Sequence, residues 1–220
     1  KDGSSFPVDY SCAPLFLGER LDGAVVVFED ITERRMAEER LKRQAFRDEL
    51  TGLPNRTAFA GRLGEALGSE ARGFAVLSLD LDDFKVVNDG LGHALGDRLL
   101  RSVARRIGKA VGEGSVLARL GGDEFAVILE GPVSREAALA VAGAVHAELA
   151  GPEMLEGYEV FVSGSIGVVL DDGRYQGADE VLRDADTAMF KAKALGKGES
   201  AVFDRAMHDE VRSRLLLESD

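Results

Sequence analysis

Three aspartates, Asp80, Asp82 and Asp83, crowd the end of the apolar run Phe74–Leu81. Carboxylates so close to a buried strand repel one another unless a cation or hydrogen-bond donors stand near. Either they hold a divalent ion, or they form a solvated loop that caps a helix. Lys85, Asn88 and Asp89 come next, then Gly92, Gly96 and Asp97. An amide pairs with O6 and N7 of guanine, and a carboxylate accepts from N1 and the exocyclic amine, so Asn88 and Asp97 are candidate readers of that base. Either also serves as a helix cap, Asp97 especially. A second acidic pair, Asp123-Glu124, follows Gly121-Gly122. Two glycines permit a tight hairpin whose backbone approaches a ligand without Cβ interference. Its acids then stand at the tip, where Asp123 completes a metal site with Asp80. Each cluster alone is ordinary, but carboxylates on adjacent strands make a platform for Mg²⁺ and phosphate.

Alternating strands and amphipathic helices from Asp48 to about Phe203 must position these groups, which predicts an α/β (α+β) fold with a mixed sheet and helices on its faces. Phe74–Leu81 reads as a strand. Leu100, Val103, Ala104, Ile107 and Val111 share one face of a helix after Asp97. Leu117–Leu120 and Phe125–Leu129 are strands flanking the glycine turn, and Ser134 caps an alanine-rich helix to about Leu149. Val160–Leu170 is strand-like. Val181, Leu182, Ala185, Ala188, Met189 and Ala192 stripe a last helix that Gly196 terminates.

Upstream, Phe6–Tyr10 and Gly23–Phe28 read as strands around a turn-rich stretch with Pro14 and Gly18. Two strands do not make an independent domain. Asp2-Gly3-Ser4, Pro14, Gly23 and Asp30-Ile31-Thr32 resemble the closing strands of a PAS sensor domain, so residues 1–32 are assigned as its C-terminal fragment. Glu33 to Asp48 carries many charges and no Gly or Pro, with Thr32 placed to cap it, and residues 33–47 read as a linker helix. Its Met36, Ala37, Leu41, Ala45 and Phe46 fit a solvated helix or a short parallel coiled coil of fewer than three heptads. Arg205–Asp220 reads as another charged amphipathic helix.

With 220 residues, 45% of them hydrophobic, the chain can bury a full domain core. Its net charge of −12 and the lack of a basic stripe exclude a general nucleic-acid binder. No apolar run reaches the length of a membrane span and no signal peptide is legible, so the segment is expected to be cytoplasmic, with any membrane anchor lying upstream. The single cysteine, Cys12, fits a reducing compartment and is expected to pack as a small apolar residue.

Gly121-Gly122-Asp123-Glu124-Phe125, preceded by Ala118-Arg119-Leu120, resembles the signature of the GGDEF family of diguanylate cyclases. Three other stretches match in family order. Asp48-Glu49-Leu50-Thr51-Gly52-Leu53-Pro54-Asn55-Arg56 resembles the entry motif, with Glu49 where Pro is frequent. Asp80-Leu81-Asp82-Asp83-Phe84-Lys85, with Asn88-Asp89, Gly92-His93 and Gly96-Asp97, resembles the nucleotide motif. Ala185-Asp186, Ala192-Lys193 and Gly196-Lys197 resemble the closing helix and turn. The likeness assigns residues 48–204 to a GGDEF domain with a five-stranded mixed sheet.

The resemblance implies roles. Asp80, the Leu81 carbonyl and Asp123 would hold two Mg²⁺ or Mn²⁺ ions per site. Asn88 and Asp97 would read guanine. Lys85, Lys193 and Lys197 would contact phosphate, helped by backbone amides near Asp83 and Phe84 and by the open approach at Gly121 and Gly122. Lys197 stands where Arg is common, which keeps the charge and loses the planar fork. Glu124 is expected beside the metal or the attacking hydroxyl, and Asp123 is the candidate acceptor of the 3′-hydroxyl proton. His93 is expected to be structural, and His146 and His208 to lie on the surface. One such domain holds one GTP, so joining two GTP into cyclic di-GMP requires a homodimer, expected through the sensor remnant and linker helix. Phe203-Asp204, Met207-His208 and the segment after Arg214 resemble the linker (residues 205–220) to an EAL phosphodiesterase domain. A silent GTP-binding module controlling such a domain is therefore the alternative function. The family's product-inhibition pattern, RxxD five residues before the signature, falls on Gly112 and Ser115 here, so both charged groups are missing.

Overall fold

The computed structural model describes residues 5–69 and 73–207. The chain divides at Ala45/Phe46 into two compact units. In the first, β1 (Val8–Leu17) and β2 (Arg20–Asp30) form an antiparallel hairpin, followed by α1 (Thr32–Phe46). The strands are longer than the sequence pattern suggests: Pro14 pairs with Ala24 inside the hairpin, and the turn shrinks to Gly18-Glu19 with a bulge at Leu15/Phe16. Proline is tolerated because β1 has an open edge toward which a missing N–H can face. Cys12 is exposed on β1, contrary to the packed role expected of it. The cap of α1 also differs. Thr32 is the first helical residue, and its N–H and hydroxyl both donate to the Asp30 carboxylate, at 2.9 and 2.5 Å.

The second unit is built on a five-stranded sheet in the order β4-β5-β3-β8-β9. Its members are β3 (Phe74–Leu81), β4 (Ser115–Gly121), β5 (Glu124–Glu130), β8 (Gly164–Leu170) and β9 (Ser200–Val202). β3 pairs antiparallel with both β5 and β8, and β9 adds the parallel pair that makes the sheet mixed. Alternation along β3 feeds two cores. Ala75, Leu77, Leu79 and Leu81 pack with α4 (His93–Val111) and α5 (Arg135–Leu149), whereas Phe74 and Val76 pack with α2 (Arg56–Gly68) and α6 (Ala178–Leu195). With both faces covered, β3 is a nearly continuous apolar run ending in acids.

Local chemistry sets the remaining boundaries. Ser134 caps α5 by accepting from Ala137 N–H at 3.2 Å, and Gly196 ends α6 at φ +133°. The strand-like stretch Val160–Leu170 is interrupted. β6 (Glu153–Leu155) and β7 (Tyr158–Val160) form a separate small hairpin before β8 begins at Gly164. α6 crosses β8 so closely that a Cβ on Gly167 would lie 2.0 Å from the Ala185 carbonyl oxygen. The Ser134 cap and the Ala138/Ala142/Val145/Leu149 stripe of α5 match the expected helix. His146 does not match its surface assignment: it is half-buried, with Nε2 2.8 Å from Ser200 Oγ. His208 and residues 208–220 of the expected terminal helix Arg205–Asp220 lie outside the described residues. No described helix is long and apolar enough to cross a membrane.

Candidate active site

Asp80 is the next-to-last residue of β3, half-buried, with Lys193 of α6 donating to it at 2.6 Å. Leu81 N–H donates to the Asp123 carbonyl at 3.3 Å, so the β4–β5 turn docks on the end of β3. This brings Asp80, Leu81 and Asp123 together, as the motifs require. Burial pushes the Asp80 carboxyl above its ordinary range and Asp123 adds to the rise, with Lys193 opposing it. Repulsion of this kind is what a divalent ion relieves.

The turn itself is held by Arg119. Its guanidinium donates to the Gly122 carbonyl at 2.6 and 3.0 Å and to both oxygens of Asp48 at 2.9 and 3.0 Å. Asp48 also accepts from Thr51 N–H and Oγ1. Burial alone would raise the Asp48 carboxyl, but Thr51 and Arg119 hold it below the ordinary value. Gly122 takes φ +50°, a left-handed conformation that favours glycine.

Glu124 opens β5 directly opposite Asp80 in register, on the same face of the sheet. It receives Arg56 at 3.3 Å. Burial raises its carboxyl, Asp186 adds to this, and Arg56 counters. Asp186 in turn accepts from the buried Ser78 hydroxyl at 2.9 Å. Arg56 and Asp186 are thus members of the acidic end that sequence reasoning did not assign. Both sat inside quoted motifs, but nothing local signalled a tie to Glu124.

A second group gathers at α3 (Phe84–Leu91), a helix that the sequence pattern did not delimit. Asp83 precedes it in the left-handed region, φ 57°, with no side-chain cap, so the first amides of α3 have no intrahelical partner. Such an end favours an anion. Lys197 reaches Asp83 at 2.6 and 2.7 Å, and Lys85 is exposed on the first turn. Phe84 is buried under the helix. Asn88 lies against Gly96: a Cβ there would sit 1.9 Å from Asn88 Oδ1. Asp97 is exposed one turn inside α4, so it is no helix cap, and His93 is exposed as the first residue of that helix.

No described group of three or more His, Cys, Asp or Glu side chains is gathered as a metal-ligand set. The donors available are two carboxylates and one carbonyl. That open, all-oxygen set fits Mg²⁺, which keeps waters and substrate phosphates in its shell.

The fold and this acidic end define a nucleotidyl-cyclase-like domain, and the chain belongs to the GGDEF family: residues 45–199 match the family model for the diguanylate cyclase GGDEF domain. It is 44% identical over 162 residues to diguanylate cyclase TpbB of Pseudomonas aeruginosa, covering 72% of this chain and 37% of that protein. It is 40% identical over 192 residues to the cyclic di-GMP phosphodiesterase PdeR of Escherichia coli, covering 87% of this chain and 29% of PdeR. Among solved structures, the GGDEF domain of TpbB superposes with TM-score 0.72 at 39% identity, covering 76% of this chain and 99% of that one. The chain spans under a third of the length of several such curated relatives.

Proposed function

We propose that this chain is a diguanylate cyclase domain that condenses two GTP into cyclic di-GMP and two pyrophosphates. The observation that carries the reading is the meeting of Asp80, Leu81 and Asp123 beside Lys193, with an open helix amide end and Lys197 nearby. Asp80, Asp123 and the Leu81 carbonyl would hold the Mg²⁺ or Mn²⁺ ions, which when bound supply charge neutralisation at the phosphates. Asn88 and Asp97 orient the guanine. Lys193, now on Asp80, and Lys197, now on Asp83, exchange carboxylate for phosphate and steady the pyrophosphate leaving group. Lys85 and the amides at Asp83 and Phe84 support the chain of phosphates.

In each of two such steps a 3′-oxygen bonds to the α-phosphorus of the facing GTP, and the bond from that phosphorus to the pyrophosphate oxygen breaks. The hydroxyl proton passes to Asp123 or to water, and Glu124 borders the same acidic end. Two chains must face each other, so the acting species is a homodimer working in the cytoplasm. The PAS-like residues 1–32 and the linker helix are the proposed route of control, and an EAL domain is the proposed downstream partner.

The likeness to PdeR favours a second reading, a GTP-binding module that regulates a phosphodiesterase without making product. Incubating the chain with GTP and Mg²⁺ and identifying the product by mass spectrometry separates the two. Cyclic di-GMP supports the cyclase, and GTP binding without product supports the module.

A further inference from the structure

Asp82 is outside every role assigned above, yet it is the most enclosed acid of its cluster, 8% exposed. Three donors converge on its carboxylate: Ser163 Oγ at 2.6 Å, Ser165 Oγ at 2.7 Å and Gly198 N–H at 2.9 Å. Its own N–H donates to the Ser163 carbonyl at 2.9 Å. One side chain therefore joins the loop before α3, the entry to β8 and the turn after α6. None of those donors is charged, so the buried carboxylate is satisfied by hydrogen bonds alone.

The turn it grips carries Lys197, the residue before Gly198. The loop it stands in carries Asp83 and the open amides of α3. Two adjacent aspartates thus hold two adjacent residues across one gap, by different means. The Asp83–Lys197 pair is exposed on both sides and screened by solvent, so a phosphate can displace it. The Asp82–Gly198 bond is internal to the fold and is independent of ligand.

We infer that Asp82 is a positioning residue: it fixes the distance between the amide end of α3 and Lys197, and so presets the two sides of the triphosphate cradle. This rests on the proposed GTP site and deepens it. Asp82 touches no nucleotide. It acts through the Lys197 turn, and it belongs to neither the metal nor the guanine contacts.

The loss should therefore depend on the phosphates and not on the base. The whole chain is titrated calorimetrically, in Mg²⁺, with an α,β-methylene GTP analogue that cannot release pyrophosphate, and with guanosine. Asp82→Ala is expected to weaken the analogue by at least about tenfold and guanosine by less than about threefold. Asp82→Asn, which keeps an acceptor for Gly198, is expected to fall between wild type and Asp82→Ala. In a Lys197→Ala background, Asp82→Ala is expected to add little, because both changes remove one contact. Should Asp82→Ala fail to fold, Ser163→Ala removes a single donor at the less buried side and is expected to show the same preference for the analogue at smaller size. Equal losses for analogue and guanosine, or additivity with Lys197→Ala, would show a general structural role and overturn the inference. Unchanged analogue affinity in a folded Asp82→Ala chain overturns it too, while leaving the GTP site standing. A wild-type chain that binds neither ligand sinks the proposed function and this inference together.

Discussion

Replacing Gly96 with Ala separates recognition from stability, because the two should move in opposite directions. A Cβ at this position would lie 1.9 Å from Asn88 Oδ1, 3.0 Å from Asn88 Cγ and 3.3 Å from Phe84 Cζ. The first two atoms end a flexible side chain, so Asn88 swings away while the backbone stays. Gly96 is inside α4 with no left-handed φ, and alanine in a helix interior is worth about 0.5–1 kcal/mol over glycine. That gain raises Tm by roughly 1–4 °C for a domain of this size, less whatever the Phe84 contact removes. Displacing Asn88 removes its bonds to guanine, a loss of about 1–3 kcal/mol, which weakens GTP by roughly 5- to 150-fold. Thermal melting and titration with GTP and ATP read both effects. Discrimination against ATP should shrink together with GTP affinity, and Asn88→Ala should add little in the Gly96→Ala background. If Gly96→Ala melts like wild type and binds GTP equally well, Asn88 does not read the base.

The remaining expectations are simpler. Asp80→Ala and Asp123→Ala should each lower cyclic di-GMP synthesis by on the order of 10³-fold with circular dichroism unchanged, and near wild-type synthesis in either would remove the metal assignment. Gly112 caps the end of α4 and Ser115 donates its hydroxyl to the Val111 carbonyl, so neither RxxD position carries a charged group, and Glu113 between them adds a negative charge. Calorimetry should find cyclic di-GMP binding outside the active site weaker by on the order of 10²-fold than an intact RxxD site gives, and a low-micromolar complex there would contradict this. Burial lowers the His146 pKa from its ordinary 6.5, so the unfolded chain binds that proton first as pH falls. Its contribution to stability is therefore full above pH 6.5 and is lost progressively below it. Melting at pH 7.5 and 5.5 should show a smaller acid-side drop in His146→Gln than in wild type, and equal drops would refute the assignment.

The acids and their strands were legible because burial and chemistry coincide in them. Apart from Ser78, β3 is apolar through Leu79, so Asp80 marks where the acids begin, and Gly121-Gly122 marks the turn with few alternatives. β9 was not legible: Ser200–Val202 is too short for periodicity, and its parallel pairing with β8 is decided by where α6 returns the chain. α3 follows a left-handed Asp83 and contains two valines and Gly90, so local propensity argues against a helix that tertiary contacts impose. In sequence Asp97 reads as a cap of a helix that starts after it, whereas α4 begins at His93 and passes through Gly96. Ser163 and Ser165 carry no signal at all. Their value lies in the strand crossing that puts them under Asp82.

Because Asp80 and Glu124 face each other by strand register, the arithmetic of chain length differs at the two ends of the sheet. An extra residue within β3 or β5 turns one acid to the opposite face and breaks the site at a stroke. The far end, where β3 begins at Phe74, is joined by Gly131–Val133 and by the 171–177 segment, and neither carries a ligand. A change of length in those connections leaves the register of the two acids untouched. Natural insertions, protein-engineering grafts and reporter fusions should therefore survive at that end and fail at the other, which gives this domain one conservative pole and one inventive one.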